Sequence, residues 1–394
     1  MLKGCYNGGM AISDAYPIEV GPEFSRDYQV HEVEGLDAST TPEKGRIESS
    51  LSELESMGFY GDNDVQHALD RKRLSAIDFN NPATKELIAR IPGVEFWLAL
   101  VPTAQALEPL YNPELEVLPN GHVIGPELRE WLSNIADAIG IRNRALMLKG
   151  LLTAGSESLS PEKVADTRWL SLASGVAQPM LESAAALRTQ TGEAPFMTLA
   201  DLSASALEDA IVYGRDLGLN DRMTIERMNV LRRQGLDVPV KFHELAIDAI
   251  TRTRKPSVER SLSRNTLTPN SYDVVEAVGI LEYLKQHDWQ YRYNNVVNIR
   301  TVQAGAQRLL ENAYRLVREG GDLIVGNMLV DRPQLGFTLN TIQWPHIQPR
   351  GIEEMMGMFD EAGLKGERHV YVAAEPSERI YALYRIHKPE AGEG

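Results

Sequence analysis

A chain of 394 residues, 43% of them apolar, is long for one domain and suits two units with a real core. Its formal net charge of −15 opposes a nucleic-acid surface, which needs a basic stripe that the short run Arg71-Lys72-Arg73 does not supply. The single cysteine, Cys5, excludes an internal disulfide and a thiolate metal cluster, so no metal site is expected and the cytoplasm is the expected compartment.

The amino end lacks the charged-then-apolar profile of a secretory signal, and Met10 is an alternative start. Residues 1–80 mix Gly, Asp, Glu and Ser with scattered apolar positions and read as a loosely structured extension, with helices over 43–57 and 64–74. From 81 to 160 the apolar spacing becomes three or four, which predicts a helical cap with helices over 82–91, 96–110, 126–139 and 141–152. The apolar stretch 94–107 is interrupted by Glu95, Pro102 and Gln105 and falls short of the roughly 20 residues that span a bilayer. The linker Ala154-Gly155-Ser156-Glu157-Ser158 and a turn over 161–164 then open a third region, 161–394.

In that region strand and helix patterns alternate, as a parallel sheet with helices on its faces requires. Strands are expected over 169–172, 196–201, 223–229, 272–278 and 322–327, with helices over 204–217, 281–284, 301–318 and 351–362. Residues 369–374 and 379–386, joined by Glu375-Pro376-Ser377-Glu378, predict an antiparallel hairpin.

The segment Trp169-Leu170-Ser171-Leu172-Ala173-Ser174-Gly175-Val176-Ala177-Gln178-Pro179 carries most of the chemical information. An apolar strand enters a small-residue turn, and Pro179 suits the first turn of the helix that follows. This junction resembles the first motif of class I S-adenosylmethionine (SAM)-dependent methyltransferases, with Ser171 where the family commonly has Asp and alanines (Ala173, Ala177) in place of the outer glycines. The resemblance covers about residues 140–387. It implies an α/β fold: a Rossmann-like, mostly parallel class I methyltransferase sheet with a terminal antiparallel hairpin and an N-terminal helical cap domain. Later segments resemble a bacterial subgroup of small-molecule methyltransferases through the turn at Gly279, the strand ending at Asn327 and the loop through Trp344.

The resemblance implies SAM as cofactor, bound beyond the carboxyl ends of the strands. Ala173, Ser174, Gly175 and Gln178 would then border it. Asp201, with Leu202, would take the ribose hydroxyls, although Asp201 would equally serve as a helix cap. Asn229 and Val230 would face the adenine, and Val278 and Gly279 would pass beneath the methionyl part. Asn327, Trp344, Arg350 and Arg144 would border the acceptor, with Arg144 and Arg142 equally readable as a solvated helix face. His346 and Tyr283 are the expected proton-transfer residues, and Glu282 is a further candidate.

The expected activity is methyl transfer to a small-molecule acceptor. Three other readings share parts of the pattern. A cyclase or aminocarboxypropyl transferase on this fold would release methylthioadenosine instead of S-adenosylhomocysteine. A nicotinamide-dependent oxidoreductase would need the glycine fingerprint that is missing here. A catalytically silent scaffold would follow from loss of the motif's Asp and glycines. Neither nucleic acid nor membrane is an expected partner. A homodimer through the apolar surface of 96–110 is compatible with the pattern, and so is simple burial of that helix.

Overall fold

The computed structural model describes residues 28–36, 77–101, 103–154, 160–228, 267–287, 289–292, 300–303, 305–344, 347–390 and 392. In chain order these form β1 (Gln29–Val33), α1 (Pro82–Arg90), α2 (Val94–Leu98), α3 (Ala104–Tyr111), α4 (Pro126–Asn134), α5 (Ala136–Ala154) and α6 (Pro161–Asp166). The sheet region continues with β2 (Arg168–Leu172), α7 (Gln178–Thr191), β3 (Phe196–Asp201), α8 (Ala204–Asp216), β4 (Met223–Arg227) and β5 (Tyr272–Ala277). A 3-10 turn (Leu281–Tyr283), a separate ribbon of β6 (Trp289–Arg292) and β7 (Arg300–Gln303), and α9 (Ala306–Leu316) follow. The chain closes with β8 (Val317–Met328), α10 (Leu335–Asn340), α11 (Ile352–Glu361), β9 (Glu367–Ala373) and β10 (Tyr381–His387).

Eight of the strands make one sheet in the order β1-β9-β10-β8-β5-β2-β3-β4. Every neighbouring pair is parallel except the two that β10 makes with β8 and β9. Without β1 this is the class I methyltransferase order, and the strand order turns outward on either side between β2 and β5, where ligands of open α/β sheets bind. Leu170 and Leu172 are buried, as a strand covered on both faces requires.

Helices cover both faces. One apolar cluster seats α9 and α11 on the sheet through Leu309, Leu310, Met355 and Phe359. The other seats α7, α8 and the later turns of α5 through Leu181, Leu187, Leu207 and Leu148. A third cluster fills the helical region around Trp97 and Trp131, whose rings meet edge-on at 5.6 Å, and includes Phe337, Ile342, Trp344, Ile380 and Tyr381. The helical region is therefore packed against the segment after β8 and the start of β10. At the closest approach, a Cβ on Gly140 of α5 would lie 2.4 Å from the Ile380 Cβ. Gly140→Ala is expected to destabilise by about 1–3 kcal/mol despite alanine's better helix propensity, because the obstructing atom is a branched carbon that cannot swing away. A thermal-melt comparison checks this.

Four sequence expectations are corrected. Residues 1–80 are not wholly an extension: Gln29–Val33 joins the sheet in parallel register with β9, and Val33 and Leu36 are buried. The single helix over 96–110 is two, α2 and α3, because Thr103 turns extended (ψ 161°) and its hydroxyl donates to the Leu100 carbonyl at 2.6 Å. The helix over 126–139 stops at Asn134, where the buried Ile135 is extended (ψ 148°), and α5 restarts beyond it. The helix over 301–318 keeps only its centre. Arg300–Gln303 pairs with β6, and at Gly305 a Cβ would meet the His287 carbonyl carbon at 2.5 Å, a close backbone approach that interrupts the helical run.

Candidate active site

Beyond Leu172 the chain turns through Ala173, Ser174 and Gly175 into α7. Ala173, Gly175 and Ala177 have φ of 55°, 52° and 54°, the left-handed region that costs a non-glycine residue about 1–2 kcal/mol. The turn thus has the backbone shape that glycines would favour, although two of its three left-handed positions are alanine. Neighbouring strand ends hold it there. The Ser174 amide donates to the Ala200 carbonyl at 3.2 Å, and the Gly175 amide donates to Asp201 Oδ2 at 2.8 Å.

Asp201, at the end of β3, accepts a second bond on Oδ1 from the Ser203 amide at 2.7 Å. Each carboxylate oxygen has one amide partner and further acceptor capacity, on a half-buried side chain. Among the described residues, nothing beyond its chain neighbours lies within 4 Å of where a Gly175 Cβ would project, so the turn borders open space there. An oriented carboxylate beside an open small-residue turn fits the ribose and methionyl parts of SAM. Leu202, 49% exposed, stands on the rim beside it.

The carboxylate missing at position 171 comes from the adjacent strand. Ser171 pairs in register with Glu276 on β5, and its hydroxyl donates to Glu276 Oε1; the Val278 amide donates to Oε2 at 2.9 Å. Burial pushes the Glu276 carboxyl up to about 7 against the pull of these donors and of Arg144. Sequence reasoning passed over Glu276. Its signal was a carboxylate within the apolar strand Tyr272–Ala277, which must find partners once buried.

A second cluster lies beyond β5. Arg144 of α5 is buried, not solvated: it reaches Glu282 Oε1 at 3.2 Å and the Tyr111 hydroxyl at 2.8 Å, and lies 4.6 Å above the Tyr381 ring. A Cβ on Gly279 (φ 95°) would be 3.3 Å from its guanidinium, so the turn after β5 and Arg144 are in close contact. Burial opposes the Arg144 charge, but Tyr111, Tyr381 and Glu282 hold it protonated. Burial likewise raises Glu282 against the pull of Arg144, while Glu282 Oε2 has no hydrogen-bond partner among the described residues. Beside it the Tyr283 hydroxyl accepts from Trp344 Nε1 at 3.0 Å, and burial and the Glu282 charge keep that phenol protonated. Tyr111 and Tyr381 were not among the sequence candidates, because helical or strand spacing alone marks them as core.

Three expected contacts have other work. Arg350, expected to border the acceptor, is buried and donates to the carbonyls of Leu281 (2.9 Å) and Leu284 and to Asn327 Oδ1 (3.1 Å). Carbonyls at a 3-10 turn need donors, and the guanidinium fork supplies them. Asn327, fully buried, orients that fork and also donates to the Met328 carbonyl at 2.6 Å. Gln178 donates to Glu182 at 2.9 Å, joining a knot with Lys149 and Tyr213 between α5, α7 and α8. Asn229, Val230 and His346 lie outside the described residues.

The remaining candidates converge. Ala173, Ser174, Gly175, Asp201, Leu202, Val278 and Gly279 gather at the carboxyl ends of β2, β3 and β5. Arg144 bridges the Gly279 turn to Glu282, and the next residue, Tyr283, meets Trp344 through its hydroxyl. An acidic cradle and a buried polar cluster with aromatic walls thus share one edge of the sheet. Among the described residues no group of His, Cys, Asp or Glu is arranged to hold a metal ion. No helix among them is long and apolar enough to cross a membrane.

No protein-family model matches the chain, and no curated protein matches it. Solved structures do. A Bordetella parapertussis protein described as a possible exported protein is 16% identical, with 89% of this chain and 100% of that one covered and a TM-score of 0.52. The CMeT domain of the citrinin polyketide synthase is 14% identical over 68% of this chain and 58% of that one, with a TM-score of 0.44. An O-methyltransferase family protein from Burkholderia thailandensis is 16% identical over 64% and 60%, with a TM-score of 0.34. At these identities the likeness is one of fold alone, and the sheet, apart from β1, has the strand order of the class I methyltransferase fold.

Proposed function

We propose that this protein is a SAM-dependent methyltransferase acting on a small-molecule acceptor. The observation that carries the reading is the Asp201 carboxylate held by the Gly175 and Ser203 amides beside an open small-residue turn, at the switch point of a sheet of this order. Bound SAM supplies an electrophilic methyl on a sulfonium.

The chain's own residues bind and align. Asp201 accepts the two ribose hydroxyls, Leu202 and the 229–230 segment border the adenine, and Val278 and Gly279 leave room for the methionyl chain. Displacement at a methyl carbon depends mainly on alignment, which the buried cluster of Arg144, Tyr283 and Trp344 favours by restricting the acceptor's orientation and excluding water. His346 is the proton-transfer candidate for an acceptor that must lose a proton, since burial keeps the Tyr283 phenol protonated and leaves it an orienting role. The helical region 81–160 is the lid and forms one wall of the acceptor site, a role consistent with the reach of Arg144 to the turn after β5.

Calorimetric titration with SAM tests the reading. Asp201→Ala, which removes two charge-assisted hydrogen bonds to the ribose together with the anchor of the Gly175 amide, is expected to weaken binding by about tenfold to a hundredfold. Equal affinity of wild type and variant, or no binding to either, counts against it. Product analysis separates methyl transfer, which leaves S-adenosylhomocysteine, from attack on another carbon, which leaves methylthioadenosine.

A further inference from the structure

β1 is a strand of five residues at one end of the sheet, and among the described strands it pairs with β9 alone. So short an edge strand is a weakly held element, and the side chains along its seam decide whether it stays. His31 stands opposite Tyr371 in the parallel register, and its ring stacks on that phenol with centroids 4.7 Å apart. Its Nε2 lies 3.0 Å from Nδ1 of His369, also on β9. One of these nitrogens must donate and the other accept, so at least one of the two rings is neutral. Two imidazolium rings would set donor against donor and charge against like charge at that distance.

The neighbouring charges favour the neutral form. Arg385 of β10 bears on both rings and opposes a further proton, while Glu367 of β9, 3.7 Å from His369, and Asp322 of β8 favour one on His369. Asp322 is already engaged by Arg385 and His387, each at 3.0 Å. Glu32 lies on the opposite face of β1 and pairs with Arg379. Burial, with Arg385, prevails, and both histidines are held below their ordinary value of 6.5. A detached strand therefore binds protons that the docked strand refuses. Docking is strongest above about pH 6.5 and weakens as the pH falls below it.

We propose that β1 is an acid-released strap: protonation of both His31 and His369 breaks their shared hydrogen bond and detaches Gln29–Val33 from β9. Detachment takes Val33 and Leu36 out of the apolar cluster that contains Met147, Leu148 and Leu152 of α5, the helix that carries Arg144, and bares the edge of β9. The device belongs to the margin of the sheet and stands apart from the reading of the previous subsection.

Hydrogen exchange of the full chain, with each amide's rate divided by its intrinsic rate at the same pH, reads the strap directly. Between about pH 7.5 and about pH 5, protection over Gln29–Val33 is expected to fall at least about fivefold, while Met197–Ala200 of β3, inside the same sheet, keeps its protection. His31→Gln removes one of the two charges and leaves an amide that can meet His369 Nδ1 as donor or acceptor, so the strand should stay protected at the lower pH. His369→Gln is expected to act in the same way and serves if the first variant does not fold. Unchanged protection in wild type, a loss shared equally with β3, or the wild-type loss persisting in the histidine variants overturns the proposal. Glu32→Gln, which cannot titrate, is expected to release β1 as wild type does; retention at the lower pH in that variant would assign the release to the Glu32–Arg379 pair and overturn it too.

Discussion

Asp137→Ala is expected to destabilise the protein by about 3–5 kcal/mol, the usual cost of stripping one partner from a buried ion pair. Asp137 lies in the first turn of α5, and its carboxylate accepts from Arg332 Nη1 and from the Thr338 hydroxyl, each at 2.7 Å. The Arg332 side chain is fully buried, and its Nη2 has no partner among the described residues. Removing the carboxylate therefore leaves a guanidinium charge in the interior with, among the described residues, the Pro333 carbonyl and Met328 sulfur as its remaining partners. A fall in the thermal midpoint of at least ~5 °C would follow, with much of the loss recovered when Arg332→Met is added. A double variant no more stable than Asp137→Ala would show that the pair's charge balance is not what the fold depends on. The ion pair ties the helical region to the segment after β8, so the single variant should also loosen the acceptor side of the site.

Glu276 gives the second large effect, and its sign is opposite to the usual carboxylate. Its folded value of about 7 lies above its ordinary value of 4.5, so the folded state holds the proton where the unfolded state has released it. The stability this contributes is full below about pH 4.5 and is lost as the pH rises through about 7. The loss amounts to about 3 kcal/mol from this one fully buried group. Glu276→Gln removes the titration while keeping the geometry satisfiable: the amide oxygen can accept from Val278, and the Ser171 hydroxyl can rotate to accept from the amide nitrogen. Denaturation midpoints at pH 5 and pH 8 should diverge in wild type by more than in the variant, with the variant the more stable at pH 8. Parallel pH dependence of the two proteins would refute the assignment.

The parts of the fold legible in the sequence were those that depend on local pattern. The strands at Trp169, Phe196 and Tyr272 show as apolar runs, and the terminal hairpin shows as two runs with a short turn between them. β1 did not show, because Gln-Val-His-Glu-Val is too short and polar to stand out, and its strand character comes from the open edge of β9. Residues 301–303 were read as helix because the strongly amphipathic α9 follows immediately; the ribbon with β6 and the close approach at Gly305 are tertiary facts. The same division runs through the site. Asp201 and the 173–175 turn were visible from position alone. The Ser171–Glu276 exchange was not, since 105 residues separate its members and only the strand register brings them together. Arg350 and Asn327 read from sequence as acceptor contacts, and sequence does not reveal that the 3-10 turn at Leu281 takes the Arg350 donors, with Asn327 Oδ1 accepting from the same guanidinium.

The pairing of β1 with β9 has a consequence for how the chain is made. Gln29 sits opposite His369, so one of the first described segments to leave the ribosome waits for one of the last. At ordinary elongation speeds of about 5–20 residues per second, that wait is on the order of tens of seconds. Until then β8 presents an unpaired margin, because β10, its partner on that side, arrives later still than β9. A nascent chain of this protein therefore passes through a stage with most of its helices seated and a growing sheet open along one side, the state in which a holdase chaperone would find most to bind.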